Sequence, residues 1–562
     1  MGLGFGRTRF YRECTPQVDR RGYKAYKDLA GASEDLGRME VRVSRVQGDP
    51  FAPPSVIEVH VKRVKPPAGA HPVPYADYAH RLLSGILPRY SMRGVGEGGS
   101  GRLSVPTPSP IVIPRSAVEA RPRNGEFWSL LFRVWAGLPS RGRRVLAGAA
   151  RELLLDRLPR AVERVLEDLA GGDVERHISV WKDQEYIRSR LDDMGLYAFV
   201  GDGSILPRKC GGCWEPLEDA VPFESPPSMR VEIELPSGRV ISGMGLPRGV
   251  TTITGPAFHG KTTLAEAIAH GVWNHIPGDG RELVVSDHML AYVESENGRW
   301  VSCVDASPFI EALPGGADTR CFTTPDASGA TSIAASIQEY VEAGASGVLF
   351  DEDQTATNII HRDVWAEEIT GKRTVNPLSD MAPSMKKAGL SMIAVASGAM
   401  PLLESSDRIV VMDEFRSRDA TEKRLEASRV LREMGYRRVA KEYGRPAGRV
   451  VAEARVLEKP RVKGFVAEAR NLKDRIDLRP LRQVEEEQQL STAWRAASVI
   501  ASRRGASIAG LAREISSRLW RWDYSMLTSK PGPEISYVRP LEIAFMVNRI
   551  PGLRACYGRY CG

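Results

Sequence analysis

The apolar positions change period along the chain, and each change predicts a different kind of element. Ile57, Val59 and Val61 alternate with Glu58, His60 and Lys62, the period of two of a half-buried strand. The run from Gly94 to Gly101 has no apolar periodicity and reads as a mobile loop. From Arg143 to Leu169 the apolar residues fall at helical spacing, with Pro159 as a break or a new helix start. Val231, Ile233 and Leu235 alternate with charged residues, and Pro236-Ser237-Gly238 turns that strand back on itself as a hairpin. From Val250 onward apolar strands alternate with helices, the mark of a mostly parallel sheet. After Met412 the chain becomes charged and helical. The expected architecture is α/β: an α+β N-terminal domain over 1–225, a core built on a mostly parallel sheet over 226–415, and a mainly helical C-terminal domain over 416–562.

Length and composition narrow this picture. A chain of 562 residues exceeds one hydrophobic core, and 42% hydrophobic with 26% charged residues excludes wholesale disorder. No window reaches the roughly 18 apolar residues of a membrane span. Met1 to Arg7 carries no secretory pattern, so a cytoplasmic protein without a membrane segment of its own is expected. The net charge of +8 suits a phosphate-rich partner such as nucleic acid, or a surface of solvated ion pairs. Seven cysteines in so long a chain form no secreted disulfide framework and read as reduced thiols. Cys210 and Cys213 have metal-ligand spacing, but zinc needs two more ligands, for which Cys556 and Cys561 are candidates if they do not pair with each other.

The chemistry is concentrated in the middle of the chain. A strand ending at Thr254 runs into Gly255-Pro256-Ala257-Phe258-His259-Gly260-Lys261-Thr262-Thr263, the phosphate-loop pattern. Its glycines let backbone N–H groups wrap phosphates, and the helix that follows presents its positive end to them. Lys261 is expected to reach the β- and γ-phosphates of ATP, and the Thr262 hydroxyl to ligate Mg²⁺. The apolar strand from Gly347 ends in Asp351 and Glu352. Asp351 is read as a holder of the metal and Glu352 as the general base that polarises water.

Ser328, Gly329 and Ala330 open a helix with the apolar face Ile333, Ile337, Tyr340 and Val341, which Gly344 ends. This resembles the signature of ABC ATPases, which opens a helix one helix-length before the second acidic motif. The resemblance implies that Ser328 and Gly329 meet the γ-phosphate held by a second copy of the chain in a head-to-tail homodimer. It also places Asn358 in the dimer-contact loop and Ser397 where ordinary members carry the switch histidine.

The segments 274–281, 305–310, 326–329, 351–353 and 356–358, with others as far back as Gly22 to Lys27, resemble the predicted ATPases of the ABC class. Members occur in archaea and bacteria, and a kinetoplastid mitochondrial relative is associated with RNA editing. The resemblance implies a nucleotide-bound dimer with a basic passage suited to RNA. The functions in view are an ATPase that moves its flanking domains, and an ATP-dependent switch or RNA-binding scaffold with little hydrolysis, which Ser397 motivates. For RNA, the sequence offers Arg141, Arg143 and Arg144; Arg437, Arg438 and Lys441; and Arg503 and Arg504 beside Trp494, Trp520 and Trp522.

Overall fold

The computed structural model describes residues 18–562 apart from 124–125, 314, 363–368, 370–372, 439–440, 559–560 and 562. The reading of Met1 to Arg7 lies outside the described residues. The chain groups into two compact units, one of residues 1–181 with 518–537, the other of 182–517 with 538–562.

The first unit is built on an antiparallel sheet. Strands β1 (Ser33–Asp35), β2 (Met39–Arg45), β3 (Ser55–Val64), β4 (Leu103–Ser104), β5 (Val118–Pro122) and β6 (Trp128–Ala136) run β1-β2-β3-β6-β4, with β5 also on β6. The period-two residues Ile57, Val59 and Val61 are fully buried on β3. Helix α1 (Pro72–Tyr90) covers β5 and packs against α2 (Leu158–Asp168). Pro159 stands in the first turn of α2, preceded by a π-helical stretch, Leu153–Arg157. The missing Pro N–H and the ring's bulk fit a change of helical winding there.

The glycine run is not the mobile loop expected. Gly101 N–H donates to Gly137 O at 2.8 Å, Gly137 N–H to Arg102 O at 2.9 Å, and Glu97 N–H to Ser140 O at 3.3 Å. A Cβ on Gly137 would stand 1.8 Å from Gly99 O, so the glycines serve close backbone approach rather than freedom.

The second unit carries two sheets. In the smaller, β7 (Leu196–Gly201), β8 (Arg230–Glu234), β9 (Val240–Pro247) and β11 (Val284–Ser286) run β8-β9-β7-β11. The β8–β9 hairpin turns at the Pro-Ser-Gly site read from sequence. The larger sheet contains β10 (Val250–Thr254), β12 (Leu290–Tyr292), β13 (Gly347–Asp351), β14 (Ser391–Val395), β15 (Arg408–Asp413) and β16 (Arg416–Asp419). Its order is β12-β13-β14-β10-β15-β16, parallel except for the last pair. This is the expected α/β fold. Helices α3 (Lys261–His270) and α4 (Gly329–Ala343) belong to this core, and further along α5 (Glu487–Ala501) and α6 (Pro540–Asn548) pack together, with α6 against α4. Among the described residues no helix is long and apolar enough to cross a membrane.

The cysteines correct the sequence expectation. Cys210 pairs with Cys213, Cys303 with Cys321 and Cys556 with Cys561 as disulfides. Cys210 and Cys213 lie 5.1 Å apart at Cα and Cys556 and Cys561 5.3 Å, within disulfide reach. Neither pair then offers thiolates to zinc.

Candidate nucleotide-binding site

Three neighbouring parallel strands, β13, β14 and β10, deliver the site at their carboxyl ends, where open α/β sheets bind ligands. Beyond β10 the chain enters the glycine loop. Gly255 takes φ +132°, and a Cβ there would stand 2.1 Å from Met412 O, so no other residue fits. Gly260 takes φ +95° and leads into α3 without a side-chain cap, which leaves the first N–H groups of α3 free for an anion. The Lys261 ammonium donates to Gly255 O and Pro256 O, each at 2.8 Å. The loop's own carbonyls thus hold it over the cradle.

The acidic strand β13 brings the second half. Thr262 Oγ1 donates to Asp351 Oδ2 at 2.7 Å, and Asp351 is buried. Hydroxyl and carboxylate oxygens suit the hard Mg²⁺ ion, which takes few protein ligands and completes its shell with phosphate and water, so this pair fits the metal. Glu352 follows, half-buried, and its Oε2 accepts the Ser397 N–H at 2.6 Å. Residues 255–263, Asp351, Glu352 and Ser397 are therefore one cluster.

Ser328, Gly329, Ala330 and Asn358 form another. Together with Ser295 and Asn297 they line a depression of about 480 Å³ that none of residues 255–263 reaches. Ser328 caps α4, its Oγ accepting from Thr331 N–H at 3.4 Å. Gly329 is close-packed: a Cβ there would stand 3.3 Å from Ala356, Asn297 and Ser295 atoms.

Some functional neighbours left no signal in the sequence. Arg549, beyond α6, bonds Glu339 at 2.9 Å and Ser336 at 3.0 Å on α4 and pairs with Glu296, while Arg299 donates to Glu339 at 3.0 Å. Burial opposes the Arg549 charge, but Glu296 and Glu339 outweigh it and hold its pKa above the ordinary value. Chain separation hid this buried brace behind the Ser328 helix. Likewise His259 Nδ1 lies 2.8 Å from Glu414 N and 3.0 Å from Asp413 Oδ1, tying the loop to the turn after β15.

Of the three tryptophans expected as stacking surfaces, two are core, and Trp520 is half-buried with its ring edge-to-face with Tyr537. Trp494 is 1% exposed with its Nε1–H on Glu468 O, and Trp522 is buried with its Nε1–H on Arg115 O. Arg438 pairs with Glu404, whereas Arg141, Arg143, Arg144, Arg437, Arg503 and Arg504 are exposed.

The fold and this site define a phosphate-loop protein of the α/β class. Residues 170–448 match the P-loop domain of the ABC-class ATPase family, and residues 10–169 match the family's N-terminal domain, described as "ATPase of the ABC class N-terminal". The chain belongs to that family. An uncharacterised protein of Methanocaldococcus jannaschii is 28% identical over 277 residues, covering 47% of this chain and 60% of that protein. Among solved structures, a bacterial Atm1-family ABC exporter with ATP bound matches 53% of this chain and 52% of its own, at 15% identity and a TM-score of 0.24, too low to add to the family assignment.

Proposed function

We propose that the protein binds Mg-ATP in the 255–263 loop and hydrolyses it between two copies arranged head to tail. The observation that carries this reading is the Thr262–Asp351 hydrogen bond with Glu352 beside it, which brings the 255–263 loop and the two carboxylates together at the carboxyl ends of neighbouring strands of one sheet. Bound Mg²⁺ would neutralise charge on the β- and γ-phosphates. In this reading Lys261 exchanges the carbonyls of Gly255 and Pro256 for phosphate oxygens, and the Gly260 and α3 N–H groups close on the same anion. Glu352 leaves the Ser397 N–H and accepts a proton from water aligned with the γ-phosphate. Ser328 and the α4 N-terminus of the second copy supply the remaining donors, and Asn358 lies in the contact between copies.

The second reading, an ATP-dependent switch with little turnover, is favoured by one feature: the group facing Glu352 from position 397 is a backbone N–H, with a serine side chain where the resemblance implies histidine. RNA is the proposed load in either case, contacted at phosphates by the exposed arginines, since Trp494 and Trp522 offer no stacking face. The cytoplasm is the proposed site of action. The test is steady-state ATP hydrolysis by wild type and Glu352→Gln, with and without RNA. Turnover that disappears in the variant supports the ATPase, and stimulation by RNA supports the load. Tight ATP binding without turnover selects the switch, and RNA affinity insensitive to salt rejects the load.

A further inference from the structure

Two aromatic rings stand beside the phosphate cradle in conformations that phenylalanine does not favour. Phe258, inside the loop, has φ +67° and is 96% exposed. Phe415 has φ +64°, follows Glu414 at φ +45°, and is 56% exposed. Glu414 and Phe415 are the two central residues of the turn between β15 and β16, whose flanking residues Asp413 and Arg416 are paired. Two left-handed residues in a two-residue hairpin are the geometry that selects Asn and Gly, so a phenylalanine there works against local preference. Departures of this kind concentrate where function requires them.

The placement of Phe415 suggests what that function is. Its Cδ1 lies 3.3 Å from where a Cβ on Gly260 would stand, and its Cα 3.9 Å from the same point. The ring therefore rests against the residue where the loop becomes α3. Its position is fixed to the loop a second time, by the approach of His259 Nδ1 to Glu414 N. The ring touches the loop at Gly260, and the residue as a whole stays more than half exposed. A nucleotide whose phosphates occupy the N–H groups of Gly255 to Thr262 carries its base one ribose away.

We propose that Phe415 is the surface on which the base of the bound nucleotide stacks. This rests on the reading of 255–263 as a nucleoside triphosphate site, and adds the contact that recognises the base. Every base has a π-face, so the ring supplies affinity for a nucleoside over bare phosphate without choosing among bases. Phe258, at the loop apex with no packing of its own, is the control.

The experiment is calorimetric titration of the full chain with Mg-ATP and, separately, with inorganic tripolyphosphate and magnesium. Phe415→Ala is expected to weaken Mg-ATP roughly tenfold, in the range of one lost base–aromatic stack, and to leave tripolyphosphate within about twofold. Phe415→Trp is expected to keep wild-type affinity for both. Equal weakening of both ligands by Phe415→Ala would make Phe415 a support of the loop and overturn the proposal, as would no change in either. A base-selective loss in Phe258→Ala but not in Phe415→Ala also overturns it. Wild-type protein that binds tripolyphosphate as tightly as Mg-ATP rejects the base contact alone, whereas wild type that binds neither rejects the nucleotide site itself.

Discussion

Glu352 Oε2 accepts a hydrogen bond from the Ser397 backbone N–H at 2.6 Å, across the junction of two paired strands in which Asp351 lies opposite Val395. The contact belongs to the main chain, so the identity of the side chain at 397 is not what holds the carboxylate. Ser397→Ala is expected to change ATP turnover by less than about twofold, because every residue but proline carries the same donor. Ser397→Pro removes it and is expected to alter turnover more. Comparing the two variants in a coupled hydrolysis assay checks this, and a large loss in Ser397→Ala would assign the work to the hydroxyl.

Thr262 Oγ1 donates to Asp351 Oδ2. Asp351→Asn keeps the shape of the site but removes the charge that the proposed Mg²⁺ site would need. Magnesium affinity in the presence of ATP is expected to fall by at least roughly tenfold, the low end for changes even outside the ligand set, with metal-free ATP binding little altered. Titration of magnesium into the ATP complex measures it.

Ser328 has one task that the structure shows and a second that the proposed function gives it. As the cap of α4 it satisfies a helix N–H, so Ser328→Ala is expected to cost about 1 kcal/mol in urea unfolding. Ser328→Asp keeps the cap but brings a negative charge to a position expected to face phosphate. It should preserve stability and abolish ATP-dependent dimerisation, read by light scattering. A dimer that survives in Ser328→Asp rejects the contact across the interface.

The buried brace behind that helix has a stability signature. Arg549→Met leaves Glu296 and Glu339 sharing only Arg299, and breaking a buried pair typically costs about 3–5 kcal/mol. Denaturant unfolding of the variant should show a loss of that order.

Acid should destabilise the second unit in two steps. Burial, with help from Arg539 and Arg188, lowers the pKa of His288 from 6.5 to about 3. Between those values the unfolded chain binds a proton that the folded chain refuses, so stability falls as pH drops below about 6.5, by at most about 1.4 kcal/mol per unit for this group. Glu485 is held at about 2 because the nearby His270, His275 and Arg281 outweigh its burial. Its contribution is present above about 4.5 and is lost as pH falls from there toward 2. Melting temperature against pH should therefore decline from near neutrality, and His288→Gln should flatten only the upper part of that decline.

What the sequence determined by itself is local. The 255–263 loop, the Asp351–Glu352 strand end and the Ser328 cap are each written in contiguous residues, because turn chemistry, strand period and capping act over a few positions. The Ile57–Val61 strand and the hairpin at Pro236 were legible for the same reason. Tertiary structure alone decided the rest. It placed Arg549 on Glu296 and Glu339 across a long stretch of chain, packed Gly99 against Gly137, buried Trp494 and Trp522, and set Phe415 against Gly260. Charge pairing, close packing and burial depend on which surfaces meet, and no period along the chain records that meeting.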